Sequence, residues 1–167
     1  MVKIRHFRIG DSQRLASLLN NKNIWNNLRD YIPYPYTEKD AIEYIKFCNS
    51  QNPRTYFAIE FSGELVGSIG LILQQDVYRK SAEIGYWIGE QYWGKGITSK
   101  AVKLIVDYGF SNLDIIRIFT GIFDFNIASQ KVLIKNGFVN DGIFKNAIYK
   151  NGRLCDEIRF SITDQTK

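Results

Sequence analysis

Two dipeptides that favour two-residue hairpin turns, Ser62-Gly63 and Asn151-Gly152, constrain the fold of this chain more than any other feature. Each lies between two runs rich in β-branched and aromatic residues. These runs are TYFAIEF and ELVGSIGLIL around the first turn, and GIFKNAIYK and RLCDEIRFSI around the second. A turn of this kind joins neighbouring antiparallel strands. The sequence therefore predicts one hairpin in the first half of the chain and another at its end.

Further strands and helices alternate with these hairpins. KIRHFRI predicts a first strand, AEIGYWIG a third antiparallel strand after the first hairpin, and IIRIFTGIF a buried strand. Apolar residues at helical spacing predict helices that begin near Asp11, Thr37, Thr98 and Asn126. We therefore expect an α/β fold with a mixed, mostly antiparallel sheet of about seven strands flanked by about four helices.

Length, composition and charge favour one domain with an anionic ligand. The chain has 167 residues, is 45% hydrophobic and lacks a linker-like stretch, so residues 1–167 should form a single domain. It lacks an apolar run of the roughly 18 residues that a membrane helix needs, and its N-terminus lacks the apolar segment of a signal peptide. We expect a cytoplasmic protein with no membrane partner. The net charge of +5 is scattered along the chain, which favours a phosphorylated cofactor over a nucleic acid.

Cysteine and histidine are too sparse for a metal site or a disulfide framework. Cys48, Cys155 and His6 lie far apart in the sequence. The spacing fits two packed free thiols better than a zinc site. We expect no metal.

The stretch EQYWGKGITSK, residues 90–100, is the candidate anion site, because Gly94 and Gly96 let backbone N–H groups approach a phosphate at the start of a helix. It nearly matches G-x-x-x-x-G-K-[ST], but Gly96 stands where a nucleotide-triphosphate site needs a hydroxyl. It nearly matches G-x-G-x-x-G, but ends in Ser99 and follows antiparallel strands. A third pattern, Q/R-x-x-G-x-G/A between the fourth strand and its helix, fits at every position from Gln91 to Gly96.

Three segments together resemble the GCN5-related N-acetyltransferases (GNAT), and among them the RimJ/RimL-type branch. They are RDYIPYPYTEKDA, AEIGYWIGEQYWGKGITSKAV and FNIASQKVLIKNGF, in this order and at ordinary spacing. The glycine loop alone is a weak signal, whereas the ordered set is strong. The resemblance implies an enzyme that uses acetyl-CoA as cosubstrate and moves the acetyl group directly to a primary amine.

The resemblance also implies where acetyl-CoA binds. Its pyrophosphate is expected against the loop amides, where a helix dipole favours negative charge. The expected contact residues are Ile88, Gln91, Tyr92, Trp93, Gly94, Lys95, Gly96, Ile97, Thr98, Asn126 and Ser129. Lys95 and Lys100 could instead be solvated surface lysines. Asn126 could instead only cap the last helix.

The same resemblance proposes the catalytic groups. Ser129 is the candidate proton donor to the leaving thiolate, because the segment VLIKNGF lacks the tyrosine that many related enzymes use there. Glu83 is the candidate acceptor of the amine's proton, through water, with an ordinary ion-pair role as the alternative. The acetyl oxygen is expected to meet a backbone N–H between Tyr86 and Ile88.

The loop from Trp25 to Tyr36 is expected to border the acceptor cleft. The candidate substrate-binding residues are Trp25, Arg29, Tyr31, Tyr36, Glu83 and Tyr86, with plain loop packing as the alternative for the aromatic cluster. An α-amine has a pKa of about 7.8 and a lysine side chain one of about 10.4, so at about pH 7 a much larger fraction of the α-amine is neutral. The favoured acceptor is therefore a protein or peptide N-terminus, as in relatives that acetylate ribosomal proteins.

Other functions stay open at this point. A small amine, such as a polyamine, an amino acid or a drug, is an alternative acceptor, and a non-catalytic acetyl-CoA-binding module is an alternative class. A nucleic-acid-binding module is disfavoured by the scattered charge. The sequence leaves the assembly open, a homodimer included.

Overall fold

A computed structural model describes residues 1–166, and within them seven strands and five helices. The strands are β1 Val2–Arg5, β2 Tyr56–Phe61, β3 Glu64–Leu73, β4 Ser81–Ile88, β5 Arg117–Phe123, β6 Val139–Lys150 and β7 Arg153–Thr163. The helices are α1 Ser12–Leu19, α2 Lys22–Trp25, α3 Glu38–Ser50, α4 Ile97–Asn112 and α5 Ile127–Lys135. In this part of the chain, no helix has both the length and the apolar character of a membrane span.

The seven strands form one sheet in the order β1-β2-β3-β4-β5-β7-β6. Strands β4 and β5 run parallel, and every other neighbouring pair runs antiparallel. The predicted fold class and the number of strands are confirmed. The additional helix, α2, is a single turn that ends at Trp25, where the predicted loop to Tyr36 begins.

Both predicted hairpins are present. Ser62 and Gly63 have φ values of 53° and 87°, and Asn151 and Gly152 have values of 51° and 76°. A two-residue turn with both central residues in the left-handed region matches the right-handed twist of the strands that it joins. The two turns therefore fix the register of β2 on β3 and of β6 on β7.

The first strand is shorter than KIRHFRI predicts. It ends at Arg5, and a single 3-10 turn at Ile9–Asp11 leads into α1. The carboxylate of Asp11 accepts hydrogen bonds from the Arg5 guanidinium at 2.8 and 2.9 Å and from the backbone N–H of Arg8 at 2.7 Å. These contacts turn the chain away from the sheet, so Asp11 does not act as a side-chain cap of α1.

The two faces of the sheet pack against different helices. One face, with Phe57 and Ile59 of β2, packs against α4 and α5. The other face, with Ala58 between them, packs against α1 and α3. This alternation of buried residues along β2 is what a strand between two helical layers requires.

Strands β4 and β5 separate after a short pairing. Their ladder covers Ser81↔Arg117 to Glu83↔Phe119. Beyond it, β4 continues along β3 to Ile88, and β5 continues along β7 to Phe123. The sheet therefore contains a gap between the carboxyl-terminal ends of two parallel neighbours, which is a position where α/β sheets commonly bind ligands.

Candidate active site

The edge of β4 beside the gap carries backbone N–H groups that the ladder with β3 does not use. The N–H of Gly89 donates to the carbonyl of Val66 at 2.8 Å, so the odd-numbered residues of β4 direct their N–H groups toward β3. The N–H groups of Tyr86 and Ile88 therefore point to the other side, beyond the last residue paired with β5. A carbonyl oxygen inside the gap can accept hydrogen bonds from them.

The glycine loop turns the chain from β4 into α4. Gly94 and Gly96 have φ values of 73° and 71°, in the left-handed region that favours glycine. Apart from chain neighbours, no described atom lies within 4 Å of the place that a Cβ would take on either residue. Gly96 is the N-cap residue of α4, and no described side chain caps this helix of 16 residues. The first N–H groups of α4 therefore lack a side-chain partner, which suits a phosphate.

The other residues of the loop are held in different ways. The indole N–H of Trp93 donates to the carbonyl of Ile88 at 3.0 Å. The hydroxyl of Tyr92 accepts a hydrogen bond from Arg14 at 2.7 Å and donates to Glu64 at 3.3 Å. Ile97 is buried, Thr98 is half-buried, and Gln91, Lys95 and Lys100 are exposed. Their assignments to acetyl-CoA stay predictions.

A pair of hydroxyl groups lies where α5 approaches β4. The Tyr86 Oη atom is 2.7 Å from the Ser129 Oγ atom. Burial raises the pKa of Tyr86 to about 12, although its hydrogen bond with Ser129 acts in the opposite direction. The phenol therefore stays protonated at neutral pH. Two adjacent O–H groups can hold a proton ready for a leaving group.

Two features of this pair were not visible in the sequence. The sequence places Tyr86 with the acceptor residues and shows no tyrosine in VLIKNGF; the fold brings a tyrosine to Ser129 from β4 instead. Asn126 is the N-cap of α5, and its side-chain oxygen accepts from the backbone N–H of Ser129 at 3.2 Å. The capping alternative for Asn126 is thus present. Its contact with the pantetheine arm stays a prediction.

Glu83, the candidate base, forms an ion pair with Arg29. The side chain of Glu83 is 17% exposed and that of Arg29 is 53% exposed, so the arginine covers the carboxylate from the solvent side. The ion-pair alternative for Glu83 is therefore present. It is compatible with a role in proton transfer, because the Arg29 side chain is exposed and can move away from the carboxylate.

A cleft of about 510 Å³ joins these groups. Its lining includes Glu83 and Tyr86 of β4, Asn126 and Ser129 at the start of α5, and Arg29, Tyr31 and Tyr36 of the loop before α3. Tyr31 is exposed, whereas Tyr36 is buried. The face of α3 that lines the cleft carries Asp40 and Glu43, so three carboxylates and one guanidinium surround the space. Because carboxylates outnumber cations in its lining, the cleft favours a positively charged ligand.

Trp25 differs from the other candidate substrate residues. Its indole N–H donates to the carbonyl of Ile32 at 2.9 Å, and its ring contacts Tyr34 with centroids 5.6 Å apart. These contacts match the loop-packing alternative. Its assignment to the acceptor stays a prediction.

Comparison with known proteins gives concordant matches. Residues 2–139 match the acetyltransferase (GNAT) domain family. The uncharacterized N-acetyltransferase YoaA of Bacillus subtilis is 38% identical over 99 residues, which are 59% of this chain and 55% of YoaA. Spermidine N(1)-acetyltransferase of Escherichia coli K12 is 29% identical over 163 residues, 96% of this chain and 85% of that enzyme.

A solved structure shares the fold along the whole chain. RimL, a ribosomal L7/L12 α-N-protein acetyltransferase in complex with coenzyme A, superposes with a TM-score of 0.86. The match has 23% sequence identity and covers 99% of this chain and 96% of RimL. At this level of identity, the likeness shows a common fold.

Proposed function

The chain belongs to the GNAT acetyltransferases, and from this premise we propose that it transfers the acetyl group of acetyl-CoA to an N-terminal α-amine of a protein or peptide. The observation that carries the proposal is the gap between β4 and β5. It has an uncapped helix N-terminus with left-handed glycines at one end and the cleft with Glu83, Tyr86 and Ser129 beside it. One ligand can therefore extend from the glycine loop to the cleft.

The residues present fit acetyl-CoA, which supplies an acetyl group activated as a thioester. Gly94 and Gly96 leave open space at N–H groups without a capping side chain, as a pyrophosphate requires. The N–H groups of Tyr86 and Ile88 would orient the acetyl carbonyl by donating hydrogen bonds to its oxygen. Asn126 and Ser129 would hold the end of the pantetheine arm.

The side chains of the cleft account for the proton movements of direct transfer. Glu83 would receive the proton of the amine, through water, as the nitrogen forms its bond to the acetyl carbon. Ser129 would give its proton to the sulfur as the C–S bond breaks, and water would return a proton to the Ser129 oxygen while Glu83 releases the one that it received. Tyr86 shares a hydrogen bond with Ser129 and stays protonated, so it would support the donor.

A small amine, such as a polyamine, is the second candidate acceptor. The three carboxylates around the cleft would suit a polycation, and spermidine N(1)-acetyltransferase matches this chain over 96% of its length. An α-amine is favoured because it needs little help to lose its proton, and Glu83, on the same strand as Tyr86, is the one carboxylate assigned to receive it.

We expect the enzyme to turn over a peptide with a free N-terminus at least about tenfold faster, in kcat/KM, than the same peptide with a blocked N-terminus and one lysine. Release of the CoA thiol measures the turnover of both peptides. Spermidine and an aminoglycoside are assayed as acceptors in the same way. Faster turnover of the lysine peptide or of spermidine would overturn the acceptor assignment. Binding of acetyl-CoA with no turnover of any amine would indicate the non-catalytic module.

For Glu83→Gln, we expect kcat/KM on the α-amine substrate to fall by about tenfold at about pH 7 and to recover as the pH rises above the amine's own pKa. The reason is that solvent then supplies the neutral amine without a base. The measurement is a pH profile of wild type and variant. Glu43→Gln is the matched control, since it removes a carboxylate from the same cleft. A deficit that is constant with pH would remove Glu83 from the base role.

A further inference from the structure

The ammonium of Lys150, at the end of β6, is buried and takes no part in the proposed chemistry. The side chain is 3% exposed. Its Nζ atom lies 2.6 Å from the Oδ1 atom of Asp30 and 3.5 Å from the centroid of the Trp25 ring. Lysine is almost never fully buried unless it is paired, and here one ammonium has both a carboxylate and an aromatic face.

Both partners of Lys150 belong to the segment 25–36, which we call the acceptor loop. Inside this loop, Trp25 is joined to Ile32 by its indole hydrogen bond and to Tyr34 by ring contact. A contact that fixes Trp25 therefore also restrains the middle of the loop. The next residue of the hairpin adds one more contact, from the Asn151 amide to the Asn26 side-chain oxygen at 3.0 Å.

The acceptor loop is fastened at two consecutive residues that bind different strands. Arg29 pairs with Glu83 of β4, and Asp30 pairs with Lys150 of β6. Arg29 also lies between the main cleft and a smaller cavity of about 240 Å³ that Lys150 lines. Each pair joins one largely buried group, Glu83 or Lys150, to a more exposed residue of the loop. Lys150 also contacts the Trp25 ring, a second point in the loop, so it is the firmer attachment.

We propose that Lys150 is a positioning residue of the acceptor cleft: through Trp25 and Asp30, its buried ammonium fixes the loop that brings Arg29 to Glu83 and Tyr31 to the cleft lining. The proposal rests on the proposed function in one respect, that the cleft binds the amine acceptor. The partners of Lys150 lie in the acceptor loop, whereas acetyl-CoA is assigned to the glycine loop. Loss of the ammonium should therefore affect the two substrates unequally.

The test compares Lys150→Met, which keeps an unbranched side chain without the charge, with Lys145→Met. Lys145 is on the same strand, pairs with Asp156 and is 75% exposed. We expect Lys150→Met to raise the acceptor KM by about tenfold, with a smaller change in kcat and with CoA affinity within about twofold of wild type. Lys145→Met should leave all three unchanged.

Amide hydrogen exchange of residues 26–36, measured without any substrate, gives a second readout that does not depend on turnover. Exchange should accelerate in Lys150→Met and stay as in wild type in Lys145→Met. If wild type acetylates no amine, the proposed function fails, while the exchange still decides whether Lys150 restrains the loop. An unchanged acceptor KM in an active Lys150→Met enzyme, or unchanged exchange, overturns the proposal.

Asp30→Asn covers the case in which Lys150→Met does not fold. The Asp30 side chain is 64% exposed, so this substitution weakens the same pair without disturbing the core. It should change the acceptor KM and the loop exchange in the same direction by a smaller factor. No change in either would overturn the proposal.

Discussion

Gly96→Val is expected to weaken CoA binding by about 100-fold or more in a protein that remains folded. Gly96 has a φ of 71° at the N-cap of α4, and a branched side chain there disfavours the left-handed backbone that presents the helix N–H groups. The added methyl groups would also occupy the space assigned to the pyrophosphate. Calorimetric titration with CoA measures the loss.

Gly63→Val provides a control for backbone strain. Gly63 has a φ of 87° in the β2–β3 turn, also with no described atom within 4 Å of a Cβ other than chain neighbours. Both variants should lower the melting temperature by a similar amount, but Gly63→Val should bind CoA like wild type. Unchanged CoA affinity in folded Gly96→Val would contradict the phosphate role of the loop.

Ser129→Ala should lower kcat by about 100-fold while CoA affinity stays close to wild type, as expected when a proton donor acts only as the thiolate leaves. The fold of α5 should persist, because Asn126 caps the helix through the backbone N–H of Ser129 and not through its hydroxyl. Single-turnover kinetics with saturating acetyl-CoA isolates this step from product release.

Tyr86→Phe identifies which hydroxyl gives the proton. If Ser129 is the donor and Tyr86 its support, Tyr86→Phe should cost less in kcat than Ser129→Ala. A larger loss in Tyr86→Phe would assign the donor to the tyrosine. Equal losses of kcat and CoA affinity in Ser129→Ala would make Ser129 a binding residue. If neither changes, the only role left to Ser129 is its backbone N–H in the cap of α5.

Features encoded by neighbouring residues could be predicted from the sequence. The hairpin turns require residues that tolerate positive φ, and both occur where predicted. Thr37 begins α3 as predicted, since its hydroxyl accepts from the N–H of Asp40 while the Asp40 carboxylate accepts from the N–H of Thr37. Such signals involve residues within about four positions of each other, so they can be recognised in the sequence alone.

Contacts between distant residues could not be predicted in the same way. Tyr86 and Ser129 are 43 residues apart, and Lys150 and Asp30 are 120 apart. No spacing in the sequence predicts either contact, because each depends on how β4, β6 and the loops meet in the folded protein. The early end of β1 is a local effect by contrast, since Asp11 contacts Arg5 and Arg8, six and three residues away.

The gap between β4 and β5 gives the sheet two additional edges, located inside the molecule. Free strand edges normally invite pairing with other chains, and outer edges are usually short or covered for this reason. Here the free part of β4 extends from Ile84 to Ile88, and β5 stands on the opposite side of the gap. An edge this short, facing another strand of the same sheet, offers little for a strand of another chain to pair with. The protein can therefore keep unpaired amide donors ready at all times, without a covering segment that would have to move before a ligand binds.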